Sequence, residues 1–187
     1  MRLVLATRNA HKVREFKALL AGHDVIALPD NVDLPPETAD TFAGNALGKA
    51  RAATAATGLP AVADDSGIEA AALGGRPGVR TARYAGPEAT DEENLARFES
   101  EVPAGSALRY VCVIAHVAPD GTETLFEGTC DGTMAAARAG AGGFGYDPVF
   151  VPGGEARTMA ELDDAEKDAI SHRGRAARAL SAWLSAG

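Results

Sequence analysis

The stretch Leu108–Val117 restricts the possible folds of this chain more than any other segment. It is a nearly continuous apolar run, without the regular alternation of polar residues found in a half-exposed strand. A strand of this kind is buried on both of its faces, as in sheets that are covered by helices. The segment therefore predicts a strand that is buried on both faces.

The rest of the chain alternates between predicted strands and helices. Further strands are predicted over residues 3–6, 25–28, 61–63 and 124–129, and helices over residues 10–20, 41–57, 88–101 and 163–170, with a last helix around Leu180. Asn9 is the expected N-cap of the first helix. This alternation indicates the α/β class, and the turn Pro119-Asp120-Gly121 predicts a hairpin, so we expect a mixed sheet with flanking helices.

Length and composition indicate an ordinary folded protein. The 187 residues fit a single domain over residues 1–187, built as two lobes, and 46% hydrophobic with 24% charged residues is typical of a globular chain. The net charge of −8 argues against a nucleic-acid partner, because binding that backbone needs a basic face. A small anion site needs only a few cations and stays possible.

Cysteine usage and hydropathy predict the location. Cys112 and Cys130 lack any metal-ligand spacing, so we expect two separate thiols in a reduced compartment. No segment approaches the roughly 20 apolar residues of a membrane helix, and the first residues are too weakly apolar for a signal peptide. The sequence predicts a cytoplasmic protein without a membrane partner.

The first helix begins with cations where a helix favours anions. Arg8, His11, Lys12 and Arg14 lie in or near its first turn, although the macrodipole and the free N–H groups there attract negative charge. A bound polyphosphate would turn this arrangement into a favourable one. A solvated helix start with side chains pointing away explains the same residues, and the sequence alone leaves both interpretations open.

Two adjacent carboxylates follow the predicted strand at residues 61–63. Asp64 and Asp65 begin the run Asp64-Asp65-Ser66-Gly67, at a strand end where α/β proteins usually bind ligands. Adjacent like charges attract a cation, and hard oxygen ligands suit Mg²⁺, while one carboxylate could activate water. An Asx turn, in which these side chains only bond the backbone, is the competing interpretation.

Other polar residues carry weaker signals. Lys49 interrupts the apolar pattern of the second helix and Lys167 lies in a later one, and each is most simply an exposed lysine. His172-Arg173 near the last helix could present donors to a carbonyl-bearing base. Phe144, in a glycine-rich loop, could stack on a base or plug the core.

Several segments together resemble one known family. The chain is similar to the inosine/xanthosine triphosphate pyrophosphatases, also named for Ham1 or RdgB, in matching blocks that run in the same order from residue 3 to about 180. The blocks are Leu5–Lys12, Asn45–Ala50, Ala63–Gly67, Gly75–Gly78, Ala82–Tyr84, Gly142–Phe150 and Glu166–Gly174. The Gly-Gly-Phe-Gly-Tyr-Asp-Pro and Ile-Ser-His-Arg-Gly runs are the most specific of them.

The resemblance implies a fold, a reaction and a site. It implies an elongated mixed sheet with two lobes around a central cleft, a homodimer, and Mg²⁺-dependent cleavage of ITP, dITP and XTP to the nucleoside monophosphate and pyrophosphate. Asp65 is then the proton acceptor and a metal ligand beside Asp64, and Ser66 contacts the substrate. The residues implied for the triphosphate are Thr7, Arg8, Asn9, Ala10, His11, Lys12 and Lys49. Those implied for the nucleoside are Phe144, Gly145, Tyr146, Asp147, Lys167, His172 and Arg173.

One position departs from the family pattern. Relatives usually carry an acid just before the Asn-Ala pair of the second helix, where this chain has Gly44 before Asn45. Glu37 and Asp40 lie upstream, in a register that does not fit a direct replacement. We therefore hypothesise weakened Mg²⁺ binding. A nucleotide-binding protein that has lost catalysis is the alternative function, and a Maf-like pyrophosphatase is disfavoured by the N-terminal block.

Overall fold

The computed structural model describes residues 2–186 and contains six strands and five α-helices within them. The strands are β1 (Arg2–Leu5), β2 (Asp24–Ala27), β3 (Ala61–Ala70), β4 (Ala107–Val117), β5 (Glu123–Met134) and β6 (Phe150–Pro152). The helices are α1 (Ala10–Leu19), α2 (Phe42–Thr57), α3 (Asp91–Glu101), α4 (Asp164–Ile170) and α5 (His172–Ala186). Short 3₁₀ segments lie at Ala71–Leu73, Gly78–Arg83, Asp147–Val149 and Met159–Glu161.

The six strands form one mixed sheet, as the sequence predicts. Their order is β2-β1-β3-β4-β5-β6. Strand β1 pairs in parallel with both β2 and β3, whereas β5 and β6 are antiparallel. The predicted strand with two buried faces is confirmed, because β4 lies between β3 and β5 and is buried from residue 110 to residue 117. The predicted α/β class is therefore confirmed.

The chain divides into two compact units. The first consists of the residues up to Asp65, Cys112–Gly128 and the residues from Arg173 onward, and the second consists of Ser66–Val111 and Thr129–His172. The prediction of a single domain over residues 1–187 includes Met1 and Gly187, which lie outside the described residues. That prediction stays untested.

The first unit has a core on each face of its part of the sheet. Along β1, Leu3 and Leu5 join one apolar cluster and Val4 joins the other, as the two-residue repeat of a strand requires. Helices α1 and α5 cover the first face, and α2 covers the second with a row of buried alanines at 46, 50 and 53. Small side chains let the α2 backbone approach the sheet closely.

The core of the second unit contains several packed aromatic residues among its aliphatic ones. Phe98 of α3 packs edge-to-face against Tyr146, with 5.0 Å between the ring centroids. Tyr110 of β4 packs against Phe150 of β6 at 4.4 Å. Aromatic pairs of this kind contribute about 0.5–1.5 kcal/mol each beyond the area that they bury. The core of this unit therefore includes residues next to the glycine-rich loop.

The structure corrects one element of the prediction. The strand predicted to end before the Asp64-Asp65 pair continues as β3 through Ala70, so both acids lie inside a strand and the Asx-turn interpretation is wrong. A buried strand can hold two carboxylates only if cations or amides meet them, and those partners come from distant segments.

Other predictions are confirmed. Cys112 and Cys130 are separate buried thiols. The helix predicted over residues 163–170 is observed as α4, with a capping box formed by Asp163 and Glu166 at its start. Within residues 2–186, no helix is both long enough and apolar enough to cross a membrane.

Candidate active site

The turn from β1 into α1 contains the cation-rich segment Thr7–Lys12. Asn9 is the N-cap, and its side-chain oxygen accepts hydrogen bonds from the backbone N–H groups of His11 (2.9 Å) and Lys12 (3.2 Å). Thr7 is buried and its hydroxyl accepts from the Asn9 N–H at 3.2 Å, while Ala10 is the exposed first residue of the helix. The predicted cap is confirmed, at the carboxyl end of a parallel strand.

The cations of this segment have specific partners. The Arg8 guanidinium donates to the carbonyl oxygens of Leu28 (3.0 Å), Pro29 (2.7 Å) and Val32 (2.9 Å), so it binds the loop that follows β2. Lys12 instead reaches strand β3 and lies 2.8 Å from the Asp64 carboxylate. A helix start whose cations all point into solvent is therefore excluded.

Asp64 is a fully buried anion among cations. One of its oxygens, Oδ2, lies 2.8 Å from the Lys12 ammonium and 3.4 Å from the Arg173 guanidinium. Burial alone would raise the pKa of this carboxyl, but the charges of Lys12, Arg173 and Lys49 outweigh it and hold the pKa well below its usual range. Asp64 therefore stays ionised and holds cations in place. Its predicted role as a metal ligand stays a prediction.

Arg173 lies at the start of α5 with its side chain almost completely buried. Its guanidinium makes a 2.6 Å ion pair with Glu15 of α1 in addition to the contact with Asp64. Burial opposes the charge, yet Asp64 and Glu15 raise the pKa of Arg173 further. The structure thus places Arg173 between two carboxylates of the first unit. Its predicted contact with the nucleobase stays untested.

Asp65 has a different environment, dominated by burial. Only 5% of the residue is exposed, and Oδ2 accepts a 2.8 Å hydrogen bond from the Asn45 amide of α2. Burial raises the pKa of Asp65, the Asn45 hydrogen bond lowers it, and the nearby negative charge of Glu37 raises it again, with a net increase. A carboxylate with a raised pKa is a better proton acceptor near neutral pH.

Lys49 is buried, so the interpretation of an exposed lysine is wrong. Its ammonium donates to the Asp64 carbonyl oxygen at 2.7 Å and forms an ion pair with Glu37. Burial would lower the pKa of Lys49, but Asp64 and Glu37 together raise it. Lys49 therefore keeps its positive charge within the acidic cluster formed by Glu37, Asp64 and Asp65.

Glu37 and Asn45 are site residues that sequence reasoning missed. Asn45 could have been found, because Asn45 and Lys49 are polar residues four positions apart on an otherwise alanine-rich helix face. Glu37 had no comparable signal, since a loop residue has no fixed register with the helix that follows. The Glu37 carboxylate forms an ion pair with Lys49 and its charge raises the pKa of Asp65, while the prediction that Glu37 does not directly replace the missing acid stays untested.

Gly44 has a structural explanation. A Cβ atom built on Gly44 would lie 2.7 Å from the Ala39 Cβ, a distance that side chains essentially never adopt. Ala39 also donates its backbone N–H to the Asn45 side chain at 2.9 Å. The glycine thus allows the loop carrying Glu37 to pack directly on the start of α2.

The carboxylates near Asp65 suit Mg²⁺ only if water and a bound substrate supply the remaining ligands. Within residues 2–186, no group of three or more His, Cys, Asp or Glu side chains is arranged to hold a metal. Asp65 and Glu37 nevertheless offer two oxygen donors whose negative charges act on one another. Mg²⁺ commonly binds one or two carboxylates and takes its remaining ligands from water and substrate phosphates, which fits these residues.

A second cluster in the other unit is built around Asp147. This carboxylate accepts from the Lys167 ammonium (2.8 Å), the Tyr110 hydroxyl (3.0 Å) and the Phe144 backbone N–H (3.1 Å). Lys167 is buried, so the interpretation of it as an exposed lysine is also wrong. Asp147 thus connects strand β4, helix α4 and the glycine-rich loop through its hydrogen bonds.

The glycine-rich loop presents Phe144 at the surface of this cluster. The ring is half-buried, and the Lys167 ammonium lies 5.2 Å from its centroid. Gly143 has φ +67°, and an added Cβ would lie 2.0 Å from Asp147 Oδ2, so only glycine fits. Gly145, with φ +63°, follows the ring. The loop conformation keeps Phe144 out of the core.

The remaining predicted residues divide between core and site. The Tyr146 side chain lies in the core and its hydroxyl donates to the Thr81 carbonyl at 2.8 Å, so a substrate contact by Tyr146 would have to come from its main chain. His172 stacks on Tyr110 with 4.5 Å between the centroids and 10° between the planes. Ser66 is half-buried in β3, directly after Asp65. The sequence did not indicate Tyr110 as a candidate site residue, because an aromatic residue in an apolar strand is typical of a hydrophobic core.

The fold and these clusters define an α/β protein with an anion-attracting helix start beside buried strand carboxylates. The chain belongs to the Ham1 family, whose family model matches residues 3–183. It is 54% identical to a dITP/XTP pyrophosphatase of Symbiobacterium thermophilum, covering 94% of this chain and 90% of that one. A second dITP/XTP pyrophosphatase, of Streptomyces coelicolor, is 49% identical, covering 96% and 94%.

Solved structures agree with this assignment. A HAM1 protein from Coxiella burnetii superimposes with a TM-score of 0.88 at 40% identity and covers all of both chains. The Staphylococcus aureus Ham1 protein gives a TM-score of 0.85 at 36% identity, covering 100% of this chain and 99% of that one. The predicted family is therefore confirmed.

Proposed function

We propose that this protein hydrolyses the non-standard purine nucleoside triphosphates ITP, dITP and XTP to the nucleoside monophosphate and pyrophosphate. The observation that carries the proposal is Asp65, a buried carboxylate with a raised pKa that Asn45 holds beside a cluster of cations. Relatives at 54% and 49% identity are named dITP/XTP pyrophosphatases, and the similarity spans at least 90% of their lengths. Removal of such nucleotides from the pool is the role that follows.

The first unit supplies the triphosphate side. The start of α1 is the expected anion-binding helix terminus and includes Thr7, Asn9 and Ala10, although the N–H groups of His11 and Lys12 already donate to Asn9. Lys12 and Lys49 add positive charge, and a bound triphosphate would share them with Asp64 and Glu37. Arg8 takes part through its main chain, because its guanidinium binds the loop after β2.

Asp65 and Glu37 would hold Mg²⁺, and the sequence-based assignment adds Asp64. When bound, the ion would polarise the phosphate oxygens and neutralise charge in the transition state. Asp65 accepts a proton from the attacking water, and the water oxygen adds to phosphorus as the α–β anhydride bond breaks. Asn45 fixes the orientation of the Asp65 carboxylate for this transfer.

The second unit supplies the nucleoside side. Phe144 offers a half-buried ring for stacking, and Lys167 and His172 lie in the same cluster. Asp65 and Ser66 are consecutive in the sequence and belong to different units, and the same is true of His172 and Arg173. We include Ser66, Gly145 and the Tyr146 main chain among the substrate contacts.

Base selection follows from donor chemistry. A 6-oxo purine presents an acceptor, whereas adenine presents an amino donor at the same position. A site that donates to this atom would leave polar groups unpaired against adenine, at a cost of about 1–3 kcal/mol. Arg173 stays the predicted donor, although its guanidinium already lies between two carboxylates.

The decisive experiment is a panel of nucleoside triphosphates with Mg²⁺, in which pyrophosphate and orthophosphate are measured separately. We expect pyrophosphate from ITP, dITP and XTP and little product from ATP. Orthophosphate as the main product would contradict the proposed reaction. Tight ITP binding without either product would instead support the alternative of a nucleotide-binding protein that has lost catalysis.

Assembly and location complete the proposal. We expect a homodimer, a single functional domain over residues 1–187, and a cytoplasmic location without nucleic-acid or membrane partners. Light scattering after gel filtration measures the dimer directly. A mass near the 19.1 kDa of one chain at micromolar concentration would contradict it.

A further inference from the structure

We infer that Tyr110 is a positioning residue for nucleoside binding, which it serves by holding both Asp147 and His172. This inference rests on the proposed function, in which the cluster around Asp147 binds the nucleoside. Tyr110 lies in β4, an interior strand of the sheet that is buried from residue 110 to residue 117. We assign it no direct contact with the substrate.

The ring of Tyr110 sets the plane of the His172 imidazole. The two rings are nearly parallel, 10° apart, with centroids at 4.5 Å. Tyr110 is 5% exposed and also packs against Phe150 at 4.4 Å, which leaves its ring little room to move. His172 therefore meets its ligand in an orientation that Tyr110 defines.

The hydroxyl of Tyr110 holds the other half of the cluster. It donates to Oδ1 of Asp147 at 3.0 Å, while Oδ2 accepts from Lys167 and from the Phe144 backbone N–H. With donors on both oxygens, rotation of the carboxylate is opposed from two sides. One side chain thus fixes the imidazole plane directly, and it fixes Lys167 and the Phe144 loop through Asp147.

Loss of the hydroxyl should affect base binding selectively. Without this donor, the Asp147 carboxylate can turn, and Lys167 and the Phe144 main chain can move with it. The residues assigned to the triphosphate belong to the other unit. We therefore expect weaker binding of the nucleoside and unchanged binding of the phosphates.

The test compares Tyr110→Phe with Tyr84→Phe. Tyr84 is a matched control, because it is a buried tyrosine of the same unit whose hydroxyl donates to Glu101. For each protein we would measure kcat and KM for ITP, and the inhibition constant of inorganic tripolyphosphate as a base-free competitor. Thermal unfolding establishes that each variant is folded.

We expect Tyr110→Phe to raise KM for ITP by about three- to tenfold, the effect of one lost hydrogen bond. The value of kcat and the tripolyphosphate inhibition constant should stay within about twofold of the wild-type values, a change smaller than that expected from one lost hydrogen bond. Tyr84→Phe should change none of the three. An unchanged KM in folded Tyr110→Phe would overturn the inference, as would an equal rise in the tripolyphosphate constant.

Failure of the proposed function can be distinguished from failure of the inference about Tyr110. If the wild type released no pyrophosphate from any triphosphate, the reaction assigned to the protein would be wrong. Calorimetric titration with inosine monophosphate would still decide the role of Tyr110. Weaker binding to Tyr110→Phe than to the wild type supports the inference, and equal binding overturns it.

Discussion

Asp65 and Asp147 are both buried carboxylates, one in each compact unit, and they differ in what they bind. Asp65 accepts a hydrogen bond from the neutral Asn45 amide, and burial raises its pKa. Asp147 accepts from the Lys167 ammonium as well as from a hydroxyl and a backbone N–H. The exposed fractions are nearly equal, 5% and 3%, so burial does not distinguish them.

The difference shows how partners decide the role of a buried acid. A neutral donor leaves the charge of Asp65 incompletely compensated, which keeps the carboxylate basic. A direct cationic partner compensates the charge of Asp147 and turns the side chain into a structural anchor. We accordingly expect Asp65 to take part in proton transfer and Asp147 to hold the residues around it.

Replacing Asp65 should give the largest effect on activity. Asp65→Asn keeps the shape and the Asn45 contact but cannot accept a proton, so we expect kcat to fall by about 10²–10⁴-fold. Because the ionised form is disfavoured in the folded protein, this variant should be at least as stable as the wild type. Pyrophosphate release, calorimetric ITP binding and thermal unfolding measure these effects. Retained turnover would remove Asp65 from its role.

Removing the ammonium group of Lys167, the cationic partner of Asp147, should lower stability. Lys167→Met leaves the Asp147 charge buried without its ammonium partner, and we expect the free energy of unfolding to fall by about 3–5 kcal/mol. Arg109→Met is the matched control, since it breaks the exposed Arg109–Asp131 pair at a cost of about 0–1 kcal/mol. Chemical denaturation measures both. Equal losses of stability in the two variants would contradict the role of Asp147 as a structural anchor that a buried cation compensates.

The surroundings of Asp65 can be tested through the neighbouring loop. Gly44→Ala puts a Cβ 2.7 Å from that of Ala39, so the loop with Glu37 must shift, and we expect kcat/KM to fall by roughly tenfold or more. The Mg²⁺ concentration for half-maximal rate should rise as well. Gly48→Ala is the control, because its Cβ would meet Pro35 at an ordinary 3.8 Å. Identical Mg²⁺ titrations for the two variants would exclude a role for the loop.

The smallest expected effect is a pH dependence of stability. Burial raises the pKa of Asp65 in the folded protein, so the unfolded chain releases this proton first, from about pH 3.8 upward. The stability of the wild type relative to Asp65→Asn should therefore fall as the pH rises above 3.8, by at most about 1.4 kcal/mol per pH unit, and level off above the folded-state pKa. Unfolding in chelator between pH 4 and 7 measures this difference. A difference independent of pH would contradict the raised pKa.

Much of the fold is predictable from local sequence. The apolar run of β4, the Asn9 cap and the Asp163–Glu166 capping box depend on residues a few positions apart. Such short-range patterns can be recognised in the sequence without knowledge of the tertiary structure. Family resemblance added the candidate residues, and the family model confirms the family to which they belong.

The length of β3 could not be predicted in this way. Two adjacent acids suggest a turn when only neighbours along the chain are considered. In the folded protein, Lys12 from α1 and Arg173 from α5 meet Asp64, and Asn45 from α2 meets Asp65, so the strand continues. These partners lie 20 to 109 positions away along the chain.

The sequence by itself determined the hydrophobic periodicity of the strands and helices, the helix caps and many of the candidate site residues. Only the tertiary structure decided that Lys49 and Lys167 are buried, that Glu37 joins the acidic cluster, and that Tyr110 supports His172. The physical reason is that burial and charge compensation depend on distances in space. A carboxylate acquires its pKa from the groups that folding brings to it, and these are not its neighbours along the chain.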